Sequence, residues 1–249
     1  MLEAHAPHQA IHTWADFFVH IATIVLGLLI AVGLEQTVEY SHHRHQRLEL
    51  EAQMRETVAA DTRLVSGNLV QLDKYRSYLV EVRNAIVARR RGAAAVAMPS
   101  PDDPRAVAGA FYLPSIAPYE AARESGTVAL LTSERIRVFY RLALQYSSLQ
   151  TDRSYWDQML VAANSIRSRF SDSKAKYRSI IVPGKDMSTL SDIELMEYQT
   201  AVGNLIEATD MLFVRFRRFD AECRAFLDAN VTEKTLIEAS QRVDKDPGN

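Results

Sequence analysis

The side chains best suited to chemistry are crowded at one end of the chain. All seven histidines fall within the first 45 residues. His5, His8 and His12 are spaced three and four apart, with Asp16 one turn further on. On a helix these four would share a face at metal-ligand spacing. His42, His43 and His45 form a second group, but a long apolar run separates the two, so they cannot build one site. The same residues suit a membrane interface, where imidazoles sit at headgroup level and gain charge below neutral pH. Metal binding and pH-dependent surface charge are both open readings of the pattern.

Beyond His45 there is no histidine at all. That removes Ser-His-Asp and Cys-His catalysis, and histidine-ligated metal, from the rest of the chain. Cys223 is the single cysteine, so no intrachain disulfide can form and the redox compartment stays undecided. It falls in an apolar seam and reads as core. No GxxxxGK[ST] or GxGxxG run offers a cradle for nucleotide phosphates. Asp102 and Asp103 sit in a proline-rich stretch, and Asp192, Glu194 and Glu197 sit at a helix start, where carboxylates favour the helix dipole. No pair among them stands out as general acid and base. The expectation is a non-enzyme without cofactor or resident metal. Arg215, Arg217 and Arg218 lie between phenylalanines of one helix. A solvated face accounts for them; contact with an anionic partner is the functional alternative.

The elements that must carry these residues follow from composition and periodicity. With 47% hydrophobic and 24% charged residues and a net charge of -2, the 249-residue chain has the balance of a folded domain. A pI near 6.4 argues against a basic nucleic-acid-binding face. Only nine glycines occur, strong helix formers abound and strand-like alternation is scarce, which together predict an all-α fold.

After a short tail, residues 1–16, the run Phe17 to Leu34 is apolar except for His20. Eighteen residues at about 1.5 Å each just reach the thickness of a hydrocarbon core. Trp14 stands where an interfacial anchor belongs, and Glu35 ends the run. A single-pass membrane helix is predicted, since the N-terminal stretch lacks the cations and cleavage site of a signal peptide. His20, close to one end, can snorkel to the interface. Thr23, Gly27 and Ala31 recur every fourth residue, a small-residue stripe suited to close helix packing. Arg44, Arg47 and Arg55 follow a stretch with no Lys or Arg, which favours a cytoplasmic soluble domain, against the counterweight of Glu35, Glu39, Glu49 and Glu51.

Residues 35–92 read as a long membrane-proximal helix. Val58, Val65, Leu72, Leu79 and Ile86 fall seven apart, with Leu69, Tyr75 and Val82 in the interleaved row. Gly67 is a point at which it can kink, and Arg89-Arg90-Arg91-Gly92 reads as its end. Residues 93–118, with five prolines, read as an exposed connection containing one helical turn. Residues 119–242 carry the remaining helices: Tyr119 to Ser125, then Ser133 to about Phe170 with Ile136, Phe139, Leu142, Tyr146, Leu149, Trp156, Leu160, Ala163 and Phe170 on its apolar face. Pro183-Gly184 marks another break. A capping box at Ser191–Glu194 opens a third long helix with a seam from Tyr198 through Val202, Leu205, Thr209, Leu212, Phe216, Phe219 and Cys223 to Phe226. A brief helix after Thr232 and a frayed tail, residues 243–249, complete the chain. Three long amphipathic helices make an antiparallel bundle the economical arrangement, the first continuing from the membrane.

HTWADFFVHIATIVLGLLIAVGLEQTVEYSHHRH and YEAARESGTVALLTSERIRVFYRL resemble recurring segments of uncharacterised bacterial single-pass inner-membrane proteins. These cover under a third of the chain. The resemblance implies a membrane-anchored helical domain and supplies no catalytic residue. The chain is accordingly expected to lie in the bilayer and to self-associate or join another membrane protein, without nucleic acid. A helical-bundle ligand sensor signalling through a partner is the alternative.

Overall fold

The computed structural model describes residues 14–92, 97–100, 102–106, 111–169 and 189–245, and among them the fold is all-α. Five α-helices carry it: α1 (Trp14–Arg90), α2 (Ala117–Glu124), α3 (Ser133–Arg169), α4 (Asp192–Leu227) and α5 (Glu233–Lys245). The chain divides into two compact units, Met1–Glu49 and Leu50–Asn249, and α1 contributes to both.

In the first unit α1 begins at Trp14, so Trp14 to Asp16 belong to the helix and not to the tail expected there. Asp16 in the first turn complements the positive helix end. Every residue from 14 to 42 is exposed, and no residue of the apolar run is buried. This helix is long and apolar enough to cross a membrane. The polar groups within it are satisfied locally: Thr23 donates its hydroxyl to the Val19 carbonyl at 2.9 Å, and a ring nitrogen of His20 lies 3.2 Å from the Asp16 carbonyl.

From Leu50 onward the same helix turns amphipathic. Val58, Val65, Leu72, Leu79 and Ile86 are buried as their spacing predicts, with Tyr75 and Val82 in the second row. Leu69 is only half-buried. That second row is completed by two polar residues, Asp61 and Asn68, both buried. The helix passes through Gly67 without a break. It ends as the sequence suggests: Gly92 donates to the Arg89 carbonyl at 2.9 Å from a left-handed φ of 80°, a conformation that a side chain would oppose.

Asp61 and Asn68 explain a departure from expectation. The proline-rich stretch is not simply exposed: Ala106, Phe111 and Ile116 are buried. Its described parts lie back along α1. The Tyr78 hydroxyl donates to the Ser100 carbonyl, Arg105 donates to Glu81, Asn68 exchanges two bonds with the Tyr112 backbone (2.7 and 3.2 Å), and Asp61 accepts from the Ser115 N–H at 3.1 Å. An extended strand of backbone needs partners for its amides. Two polar residues set seven apart in a helix seam supply them. One 3₁₀ turn, Pro104–Ala106, interrupts this strap, as foreseen. The strap ends two residues early, because α2 starts at Ala117 with Pro118 in its first turn.

Gly126, at φ 79°, turns the chain through Thr127–Leu130 into α3. The strap has by then returned the chain to the beginning of the bundle, which sets the topology. Arg135 near the start of α3 pairs with Glu51 on α1, and Tyr75 stacks edge-on against Trp156, so α1 and α3 run the same way. α4 runs against both: Arg55, Arg76 and Arg90 of α1 meet Leu227, Asp210 and Asp192, while Arg141 and Trp156 of α3 meet Glu222 and Thr209. The capping box at its start is present in full: the Ser191 hydroxyl accepts from the Glu194 N–H, and the Glu194 carboxylate accepts from the Ser191 N–H at 2.7 Å. Its predicted seam, Tyr198 to Phe226, is buried throughout, Cys223 and Thr209 included. On α3, Phe139, Leu142, Leu149, Trp156 and Ala163 are buried, while Ile136, Tyr146 and Leu160 are half-buried; Phe170 lies outside the described residues. α5 is longer than the brief helix expected. Val243 to Lys245, read as frayed tail, belong to it, because Asp244 is held by Arg218 of α4 at 2.7 Å.

Candidate functional site

Three polar stripes meet where α5 packs on α3 and α4. On α3 they are Arg141, Gln145, Ser148 and Asp152; on α4, Arg215, Arg218 and Glu222; on α5, Ser240, Gln241 and Asp244. On α3 and α4 the stripe steps by three or four residues and so occupies one helix face, while on α5 Ser240 and Gln241 stand one turn before Asp244. Together, Asp152 and Glu222 apart, these residues line an open cavity of about 390 Å³, with Leu144 and Ile237 also on its walls.

Glu222 lies beneath it with a fully buried side chain. Arg141 donates through Nε to both carboxylate oxygens at 3.2 Å and through Nη2 to Oε1 at 2.7 Å, and Gln145 donates its amide to Oε1 at 2.8 Å. Burial pushes the Glu222 carboxyl above its ordinary value, against the lowering pull of Arg141, Ser240 and Gln145. Arg215 donates through Nε to Asp152 at 2.7 Å, and Arg218 does the same to Asp244. Three guanidinium groups therefore stand around one cavity, each held by a carboxylate. The pairs link α3 to α4 twice and α4 to α5 once. Among the described residues, the Gln145 side-chain carbonyl is buried without a hydrogen-bond partner.

The three arginines singled out from sequence do not act together. Arg215 and Arg218 reach this cavity, whereas Arg217 lines another, of about 460 Å³, between α4 and α5 with Arg224 and Arg242. Successive helical residues point about 100° apart, so Arg217 cannot join its neighbours. Nor do they form a solvated face, since all three are half-buried. Arg141, Gln145, Glu222 and Asp244 escaped the sequence reading. Their 3–4 spacing was legible, but only the pairing of three helices turns three polar stripes into one site.

The other candidates disperse. His5, His8 and His12 lie outside the described residues, and among the described residues no cluster of metal-binding side chains is found, around Asp16 or elsewhere. Thr23, Gly27 and Ala31 stay exposed along α1. Arg55, counted toward orientation, donates to the Leu227 carbonyl at 3.1 Å, where it caps the end of α4. The carboxylates that could have served as acid and base are bound elsewhere: Asp103 to Arg105, Asp192 to Arg90, Glu197 to Arg169, and Glu194 in the capping box. Burial pushes the Cys223 thiol far up, so it is held as an unreactive core group. A further groove of about 370 Å³ between α3 and α4 is mainly apolar, with Met159, Ile166, Met196 and Ala201 on its walls. Comparison with protein-family models, curated proteins and solved structures gives no match.

Proposed function

We propose that the chain is a membrane-anchored helical interaction module, self-associating or serving as an accessory subunit of a membrane complex, and not an enzyme. The observation that carries this is the apolar run of α1. It leaves every side chain uncovered, while the bundle from Leu50 onward buries its own seam. Uncovered apolar surface of that extent is stable in lipid or against another helix, not in water. Thr23, Gly27 and Ala31 are the positions at which a second membrane helix would approach most closely. The setting proposed is the inner membrane of a bacterial cell. Arg44 and Arg47 beyond the run favour the cytoplasmic side for the bundle. The full-length protein extracted in mild detergent is expected to run as an oligomer or with a co-purifying membrane protein. A monomer with no partner counters the proposal. Reporter fusions at the C-terminus test the orientation; activity restricted to an extracytoplasmic reporter reverses it.

A second reading, a ligand sensor signalling through a partner, is favoured by the arginine-lined cavity between α3, α4 and α5. A pocket between helices is where such a bundle would take a small molecule.

A further inference from the structure

Away from the cavity the α3–α4 seam is mainly apolar, with Leu142, Leu149, Trp156 and Ala163 sharing one core with Leu205, Leu212, Phe216 and Phe219 and a single buried polar pair, Trp156 with Thr209, among the described residues. Ion pairs taken out of water seldom outperform such packing. The most buried of them, Arg141 with Glu222, therefore calls for a role other than stability, and two more exposed pairs stand beside it around the same cavity. Each arginine is also gripped in a particular way. Arg215 and Arg218 meet their carboxylates through Nε, so that contact leaves the four terminal N–H groups of each guanidinium unused. These are the donors that engage oxyanions in pairs. Ser148, Ser240 and Gln241 add neutral polar groups to the walls, and the unpartnered Gln145 carbonyl beside them lacks a donor. A cavity of about 390 Å³ falls in the range that holds a small metabolite.

We propose that the cavity between α3, α4 and α5 binds a small oxyanion, a carboxylate or phosphate ester, that also carries a hydroxyl group. Arg215 and Arg218 take the anionic head, and a ligand hydroxyl donates toward the Gln145 carbonyl. The six charges around the cavity balance: Arg141, Arg215 and Arg218 against Glu222, Asp152 and Asp244. An anion arriving at this balanced set competes with a carboxylate for its arginine. Asp244 is the one that yields, since its pair with Arg218 is the most exposed of the three, at 44% and 31%. Binding thereby acts on the hold that α4 keeps on α5. This inference rests on the sensor reading only in supplying its ligand; it needs no partner protein.

The test is calorimetric titration of the full-length protein in detergent with malate, glycerol phosphate and inorganic phosphate. Malate and glycerol phosphate separate the carboxylate from the phosphate source. Saturable binding of one of them is expected, weakened about tenfold in Arg218→Gln. It should be tightened in Asp244→Asn, which frees Arg218, and unchanged in Arg76→Gln on the α1 side of the bundle. A gain of affinity in Asp244→Asn cannot arise from misfolding. No saturable binding overturns the proposal. Inorganic phosphate binding as tightly as the hydroxylated anions does so too, as does affinity that ignores both cavity variants. Binding that leaves oligomeric state and partners unaltered sustains the cavity assignment and removes the sensor reading alone.

Discussion

The two stretches of α1 on either side of Glu49 use similar apolar residues in different order. Before it, Phe, Ile, Leu and Val occur all round the helix, and none is buried. After it, the buried ones lie along one face at helical spacing, while Leu64 and Val70 stay exposed. Amount and arrangement both separate them. An apolar stripe matches one protein neighbour, and an apolar cylinder matches a solvent that is itself apolar. The second stretch shows a further rule. Where its seam is interrupted, at Asp61 and Asn68, the interruption meets backbone amides, and so a polar residue in a seam marks a third element packed there.

The largest effect should separate the two stretches outright. Phe216→Ala, in the core that the second stretch shares, is expected to cost the bundle about 3 to 5 kcal/mol in denaturant unfolding followed by circular dichroism. Leu28→Ala in the first should leave that transition where it is. An equal loss in both would mean that the run is part of the folded core.

Removing the strap's fastening comes next. Asn68→Ala leaves the Tyr112 amide and carbonyl without that partner, at about 1 to 3 kcal/mol. Hydrogen exchange should show faster exchange at Tyr112 than in the α4 seam. Unchanged protection would mean that the strap does not depend on this residue.

Asp61 sharpens the same point through pH. Burial raises its carboxyl to about 6, against the lowering effect of the Ser115 N–H. Its folded value lies above the roughly 3.9 of an unfolded aspartate, so the folded state binds the proton more tightly. Stability is then lost as pH rises from about 4 to about 6 and stays lower above that. Asp61→Asn keeps an acceptor for Ser115 without the charge. Its melting temperature should match the native chain at the acid end of this window and exceed it by a few degrees above the window. A variant less stable than the native chain at neutral pH would show that the charge itself fastens the strap.

The smallest effect belongs to the rim. Arg76 and Asp210 pair across α1 and α4 with both side chains more than two-fifths exposed. Asp210→Asn should change stability by about 0 to 1 kcal/mol and less at high salt. A loss several times larger would make the pair part of the core's support.

Most of the helical framework was legible because periodicity and end signals are local. The capping box at Ser191, the cations before Gly92 and the seam of α4 each depend on neighbours within a few turns. The strap was not legible, since prolines announce the absence of helix without saying what the extended chain lies on. The length of α5 was missed for a similar reason: Asp244 looks like tail until Arg218 is seen to hold it. Of the candidate site, two of its three arginines could be named, Arg215 and Arg218. Glu222 could not, because a buried carboxylate is recognisable only once Arg141 and Gln145 stand opposite.

The central proposal is that one helix serves two surroundings, lipid along its first stretch and a helical bundle along its second. Alkaline carbonate extraction of membranes from cells expressing the full chain tests it most directly. The account predicts that the protein stays in the membrane pellet after extraction, with its bundle still resistant to added protease. Recovery of the intact chain in the soluble fraction would contradict it.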